Sequence, residues 1–272
     1  MKIEPMKNYN ILITNDDGIN SPGLRAAVEA VLDLGTVTVA APSVQQTGAG
    51  RGLTGDRQAR LAGIDYRAGG REIRAFHCDC SPALVVRHSL QTIFRDRRPD
   101  LLISGINYGE NLGSLVTSSG TVGAALEGAS SGIPGIAVSK QTPVDSHHNY
   151  TDQDWSGPVH FLNRFSRLLL ESRPHPDIDV LKIDVPAGAT PDTAWKITRM
   201  ARAGYYFKEM ENPSVESRVG DGRLVIKVDR ETIDPESDIH ALAVEGIVSV
   251  TPLSLDLTSR VSLSDLQRQY GG

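Results

Sequence analysis

Residues 9–14 (YNILIT) are a short, nearly continuous run of apolar and β-forming positions, the pattern of a strand buried on both faces of a parallel sheet. The run stops at Asn15-Asp16-Asp17-Gly18. Ser21 and Pro22 suit a helix start, and Leu24, Ala27, Val28, Val31 and Leu32 repeat at helical spacing up to Gly35, which is expected to close the helix. Residues 36–41 (TVTVAA) read as a second strand halted by Pro42, so the chain opens with a βαβ unit. Further strands are expected at 101–104 (LLIS), 135–139 (GIAVS) and 180–185 (VLKIDV). A small-residue helix over 119–129 separates the first two of these. An amphipathic helix over 154–171, carrying Trp155, Val159, Leu162, Phe165 and Leu169, precedes the third. Residues 65–76 suit a hairpin, and 77–94 a loop entering a helix at Ser81-Pro82. Beyond Pro186 the strands shorten (195–200, 223–229, 246–251) and a terminal helix is expected over 262–270. The division predicted is an α/β core over 1–186 and a β-rich extension over 187–272.

Composition narrows the setting. With 272 residues, 39% hydrophobic and 22% charged, the chain has enough apolar material for a sizeable core. A formal charge of -5 excludes a dedicated surface for duplex nucleic acid. No stretch approaches the roughly 18 apolar residues of a membrane span, and MKIEPMKNYN lacks the apolar segment of a signal peptide, so a cytoplasmic protein is expected. Cys78 and Cys80 are too few for a disulfide framework, and with His77 they fall short of a structural zinc site, which leaves buried thiols in a reducing compartment.

In an open parallel sheet, ligands bind beyond the carboxyl ends of the strands. The first strand delivers Asp16 and Asp17 to that edge, the second leads into the loop holding Thr47, and the 101–104 strand leads to Asn107. Two carboxylates, a hydroxyl and an amide oxygen form a donor set for a hard cation such as magnesium or manganese. The plain alternative for Asp-Asp-Gly is a turn, but the helix that follows does not fit a hairpin. Residues 118–121 (SSGT) open a helix whose free N–H groups suit an anion, and a metal beside a phosphate cradle implies phosphoryl chemistry. The glycines of 46–52 (QTGAGRG) have the wrong spacing for a dinucleotide fingerprint. That loop reads as a surface loop, or as a lid bringing Thr47 to the metal and Arg51 to phosphate. An aspartyl-nucleophile phosphatase needs an acid where Asn15 stands. A phosphate-receiver domain needs one where Ser104 and Gly105 stand, although Lys140 matches its lysine.

The segments ILITNDDGINSPGL, APSVQQTGAGRGLT, PDLLISGINYGENLG, SGTVGAALEGASSGIPGIAVS and GIVSVTPLSLDLT, in this order and spacing, resemble the SurE family of metal-dependent phosphohydrolases, also called 5'/3'-nucleotidases. The resemblance runs from Ile11 to Thr258. It implies a Rossmann-like three-layer core with a mainly parallel sheet, a C-terminal β extension exchanged between subunits, and a homodimer or homotetramer. It also implies phosphate release from nucleoside monophosphates using one manganese or magnesium ion per subunit. Its metal ligands fall on Asp16, Asp17, Thr47 and Asn107, of which Asp16, Asp17 and Asn107 are expected to be catalytic. Substrate contacts are expected from Asn15, Thr47, Gly48, Arg51, Ser104, Ser119, Gly120 and Thr121. Thr47 stands where the family commonly has Ser, Arg51 where it has His or Asn, Ser118 where it has Tyr, and Cys80-Ser81-Pro82-Ala83 replaces Gly-Thr-Pro-Ala. These departures bear on substrate range rather than reaction class. A broad acid phosphatase or exopolyphosphatase, or a nucleotide-binding homologue without turnover, stays open beside the nucleotidase. Base and sugar preference are assigned to loops such as 142–154, whose His147 and His148 read as solvated loop residues.

Overall fold

A computed structural model describes residues 8–147, 149–172 and 174–271. The expected opening unit forms from Tyr9–Thr14 (β1), Pro22–Val31 (α1) and Gly35–Pro42 (β2). The helix ends four residues before Gly35, which instead begins β2. A Cβ there would lie 2.0 Å from the Tyr9 carbonyl oxygen, so glycine serves the close approach of β2 to β1 rather than a helix stop.

Next come Ala62–Gly63 (β3), Arg67–Ala68 (β4), Arg71–Glu72 (β5), Arg74–Cys78 (β6) and Pro82–Gln91 (α2). The predicted hairpin is the β4–β5 pair, turned by Gly69 and Gly70 at positive φ. His77 and Cys78, expected in a loop, belong to β6, which pairs in parallel with β2. Leu101–Tyr108 (β7), Gly120–Ala129 (α3), Gly135–Lys140 (β8), Ser156–Glu171 (α4) and Val180–Val185 (β9) follow as the pattern predicts, β7 running four residues further. The remaining elements are Trp195–Ile197 (β10), Tyr206–Glu209 (β11), Arg223–Ile226 (β12), Asp238–Ala243 (α5), Val248–Leu253 (β13) and Leu263–Tyr270 (α6).

Among the described residues, nine strands make one mostly parallel sheet in the order β10-β13-β9-β8-β7-β1-β2-β6-β3. The central strands are buried on both faces and distribute their side chains with period two. Ile11, Ile13, Leu101, Ile103, Ile136 and Val138 enter the core under α1 and α4, whereas Leu12, Leu102 and Ala137 enter the core under α2 and α3. Each fully buried Ile or Leu contributes roughly 1.5–3 kcal/mol. The alanines of α3 (Ala124, Ala125, Ala129) bring that helix close to the sheet.

Residues 187–272 continue this sheet through β13, antiparallel to β9, and β10, parallel to β13. The hairpin of β11 and β12 forms a separate two-stranded sheet, and α6 buries no residue. Among the described residues no helix is long and apolar enough to cross a membrane.

Candidate active site

Strand order reverses between β1 and β7, because β1 continues to β2 on one side while β7 continues to β8 and β9 on the other. The crevice at such a reversal is where an open α/β sheet receives a ligand. Asp16 and Asp17 stand there at the end of β1, only 6% and 3% exposed. The described ion pairs all lie elsewhere.

Burial pushes Asp16 up to about 6, although the Thr121 hydroxyl, donating to Oδ1 at 2.6 Å, and backbone N–H groups draw it back. Asp17 is raised well above the carboxylate range, first by burial and then by the charge of Asp16. The Tyr108 N–H donates to its Oδ2 at 3.1 Å and the Gln45 amide to its Oδ1 at 3.3 Å. Two desolvated carboxylates side by side are costly as anions, and a divalent cation removes that cost.

The start of α3 packs directly on Asp16. A Cβ at Gly120 would lie 2.7 Å from both Cβ and Oδ2 of Asp16, so only glycine allows the helix N-terminus to approach. Ser119 caps the helix by accepting from the Val122 N–H at 3.2 Å. Asn107 lies within β7, just past a register shift that begins at Ser104. Its amide nitrogen donates to the Gly109 carbonyl at 2.7 Å. The exposed Thr47 sits one residue beyond Gln46, whose N–H donates to the Asp16 carbonyl at 2.7 Å. The same loop is tied to the segment before α3 where the Gly50 N–H meets the Ser118 carbonyl. Asp16, Asp17 and Asn107 thus stand at one edge of the sheet, and the loop carrying Thr47 is bonded to Asp16 there. Among the described residues no third carboxylate, His or Cys joins them in a metal-binding group.

Other predicted residues stand apart from this edge or are engaged. Asn15 and Gly18 exchange two hydrogen bonds of 3.1 Å, so Asn15 closes the turn. Ser104 is buried within β7 with its hydroxyl unpartnered. Arg51 does not point to Asp16; its guanidinium pairs with the buried Glu127 at 2.9 Å, and Arg87 takes the other oxygen. The Thr121 hydroxyl is spent on Asp16, while Gly48 lies exposed at φ +75°. Ser118 is exposed and donates to the Leu115 carbonyl. The thiols of Cys78 and Cys80 are free and buried, as expected, with sulfurs 3.1 Å apart.

The profile of the family described as Survival protein SurE matches residues 11–206. The chain belongs to the SurE family. A protein from Methanosarcina mazei named 5'-nucleotidase SurE is 38% identical over 267 residues, covering 95% of this chain and 96% of that one. One of the same name from Thermococcus gammatolerans is 40% identical over 274 residues, covering 96% of each. The crystal structure of the SurE protein from Aquifex aeolicus superposes with a TM-score of 0.74 at 29% identity, covering 96% of this chain and 99% of that one. The stretch matched by the SurE profile contains every predicted site residue.

Sequence reasoning missed the residues that close the crevice on the side away from α3. The Gln45 amide donates to Asp17 and, at 2.5 Å, to the His147 carbonyl, linking the 43–55 loop to the turn of Val144–His147. The Tyr150 hydroxyl donates to the Asp17 carbonyl. His147, expected to be solvated, is partly buried, its ring over Gly109 and edge-on to Tyr206; His148 lies outside the described residues. Only the presence of an aromatic residue within a polar loop hinted at Tyr150.

Proposed function

We propose that the chain is a divalent-metal-dependent phosphomonoesterase, a 5'/3'-nucleotidase that hydrolyses nucleoside monophosphates to nucleoside and phosphate. The observation that carries this reading is the pair of buried aspartates, without ionic partners among the described residues, at the sheet reversal and against the N-terminus of α3. The relatives named 5'-nucleotidase SurE support the substrate class.

The donor set fits manganese or magnesium. Asp16 and Asp17 are buried carboxylates with no ion-pair partner among the described residues, Asn107 has an amide oxygen, and Thr47 adds a hydroxyl. A divalent cation held there supplies the positive charge that polarises a phosphoryl group and lowers the pKa of water. The chain's own residues orient and sort charge. Thr121 and the start of α3 fix Asp16, and Tyr108 and Gln45 fix Asp17. The Ser119 hydroxyl and the Gly120 N–H are assigned to phosphate oxygens, which their position at a helix N-terminus favouring negative charge supports. In this arrangement Arg51 braces the 43–55 loop through Glu127 rather than holding phosphate.

Homo-oligomer formation is supported by the apolar side chains left outside the core. Phe207, Leu224 and Ile226 on the β11–β12 hairpin and Leu263 and Tyr270 on α6 are all exposed.

The decisive measurement is phosphate release from AMP by purified protein with manganese or magnesium. Turnover is expected with either ion and is lost on chelation. Full activity of Asp16→Asn would overturn the reading.

A further inference from the structure

Three aromatic rings, Trp155, Tyr108 and Tyr150, pack in series beside Asp17 on the α4 side of the crevice. Trp155, partly buried at the start of α4, meets Tyr108 edge-on at 5.3 Å between centroids. Tyr108, only 3% exposed, lies at the end of β7, and its N–H donates to the Asp17 carboxylate. Tyr150 tilts against Tyr108 at 5.2 Å and is 41% exposed, so the stack ends in an open aromatic face.

That face cannot swing freely. The Tyr150 hydroxyl is tied to the Asp17 carbonyl, and Tyr108 backs the ring. A half-exposed tyrosine held by its hydroxyl at Asp17 and backed by Tyr108 is pre-organised to receive a flat apolar group. A nucleotide offers its base on the far side of a ribose from the phosphate. The side of the crevice opposite α3 is therefore where the base lies when phosphate meets the α3 N-terminus.

Resting on the nucleotidase reading, the geometry points to Tyr150, backed by Tyr108, as the platform on which the substrate base stacks. Stacking requires no particular hydrogen-bond pattern, so every base is accepted and purines, with the larger face, are preferred over pyrimidines. The Tyr150 hydroxyl acts as a positioning group through Asp17, and its ring sets specificity.

The test compares kcat/KM for AMP with that for ribose 5-phosphate, which carries the same phosphate on a sugar without a base. In Tyr150→Leu the ratio of the two falls about tenfold, within the range that loss of one base–aromatic stack produces. In Tyr150→Phe, which keeps the ring, the ratio stays near that of the wild type. A merely structural tyrosine lowers both substrates in proportion, and an unchanged ratio in Tyr150→Leu overturns the proposal. A wild-type enzyme that cleaves ribose 5-phosphate as well as AMP overturns the base platform but leaves phosphomonoesterase activity standing. Failure to cleave either overturns the nucleotidase reading, and the platform with it.

Discussion

Asp16 is bonded by Thr121 and packed against Gly120, and these neighbours offer sharper tests than the carboxylate itself. The Thr121 hydroxyl donates to Oδ1. Thr121→Val keeps the shape but leaves that oxygen without its donor, and metal affinity measured by titration is expected to fall about 10–100-fold, the usual cost of removing a group that orients a ligand. Gly120→Ala pushes a methyl to within 2.7 Å of the same carboxylate. Phosphate release is expected to collapse in that variant while the circular dichroism spectrum and unfolding midpoint change little, because the displaced group is the site and not the core. The raised pKa of Asp16 has an unusual consequence for stability. Its folded-state value of about 6 lies above the ordinary aspartate value, so the folded chain binds more protons between the two. The contribution is fully present below about pH 4 and is lost as pH rises through about 6. The gap corresponds to ~3 kcal/mol at most, and Asp17 acts in the same direction. With metal chelated, urea unfolding should therefore show wild type losing stability relative to Asp16→Asn between pH 4 and pH 7, and added manganese should restore it. Equal pH slopes for the two proteins would show that Asp16 is not desolvated.

At the scale of elements, what the sequence pattern revealed followed from burial. Strands sealed on both faces, such as β1, β8 and β9, read as apolar runs, and helices such as α1 and α4 as periodic stripes. Elements formed by local fit were harder to see. β6 has only RAFHC to announce it and exists because β2 offers an open edge, and α5 is a six-residue helix defined by its Ser237 cap. The site followed the same division. The sheet-edge positions of Asp16, Asp17 and Asn107 were legible because strand ends fix what stands there, whereas nothing in the loop of Arg51 announces its pairing with Glu127 two helical turns into α3. Gln45 and Tyr150 act across 28 and 133 residues of chain separation, which no local pattern encodes. Gly35 shows how an apparent stop signal can be a packing requirement. Gly35→Ala sets a methyl against the Tyr9 carbonyl, and a loss of about 1–3 kcal/mol in the unfolding free energy measured with urea is expected, as for other overpacked sites.

Across the whole molecule, the site is joined to the C-terminal third by a buried ionic knot. Lys182 on β9 pairs with Asp184 on the same strand and with Asp238 of α5 at 3.1 Å, all three side chains being fully buried. The carboxylates are also satisfied by backbone. Asp184 accepts from the Asn111 N–H at 2.7 Å, and Asp238 from the Gly113 N–H at 3.0 Å and the Ala201 N–H at 2.9 Å. The loop that leaves Asn107 is thereby fastened to α5 and to the chain before β11. Removing the lysine leaves two buried carboxylates facing one another, which costs about 3–5 kcal/mol. Lys182→Met is accordingly expected to lower the melting temperature by roughly 10 °C for a chain of this size. Neutralising one partner in the double variant Lys182→Met/Asp184→Asn removes part of the repulsion and should recover several degrees. If calorimetry found the double variant as unstable as the sum of the two single changes, the three groups would be acting independently. The Asn107 loop would then be held by its backbone hydrogen bonds alone.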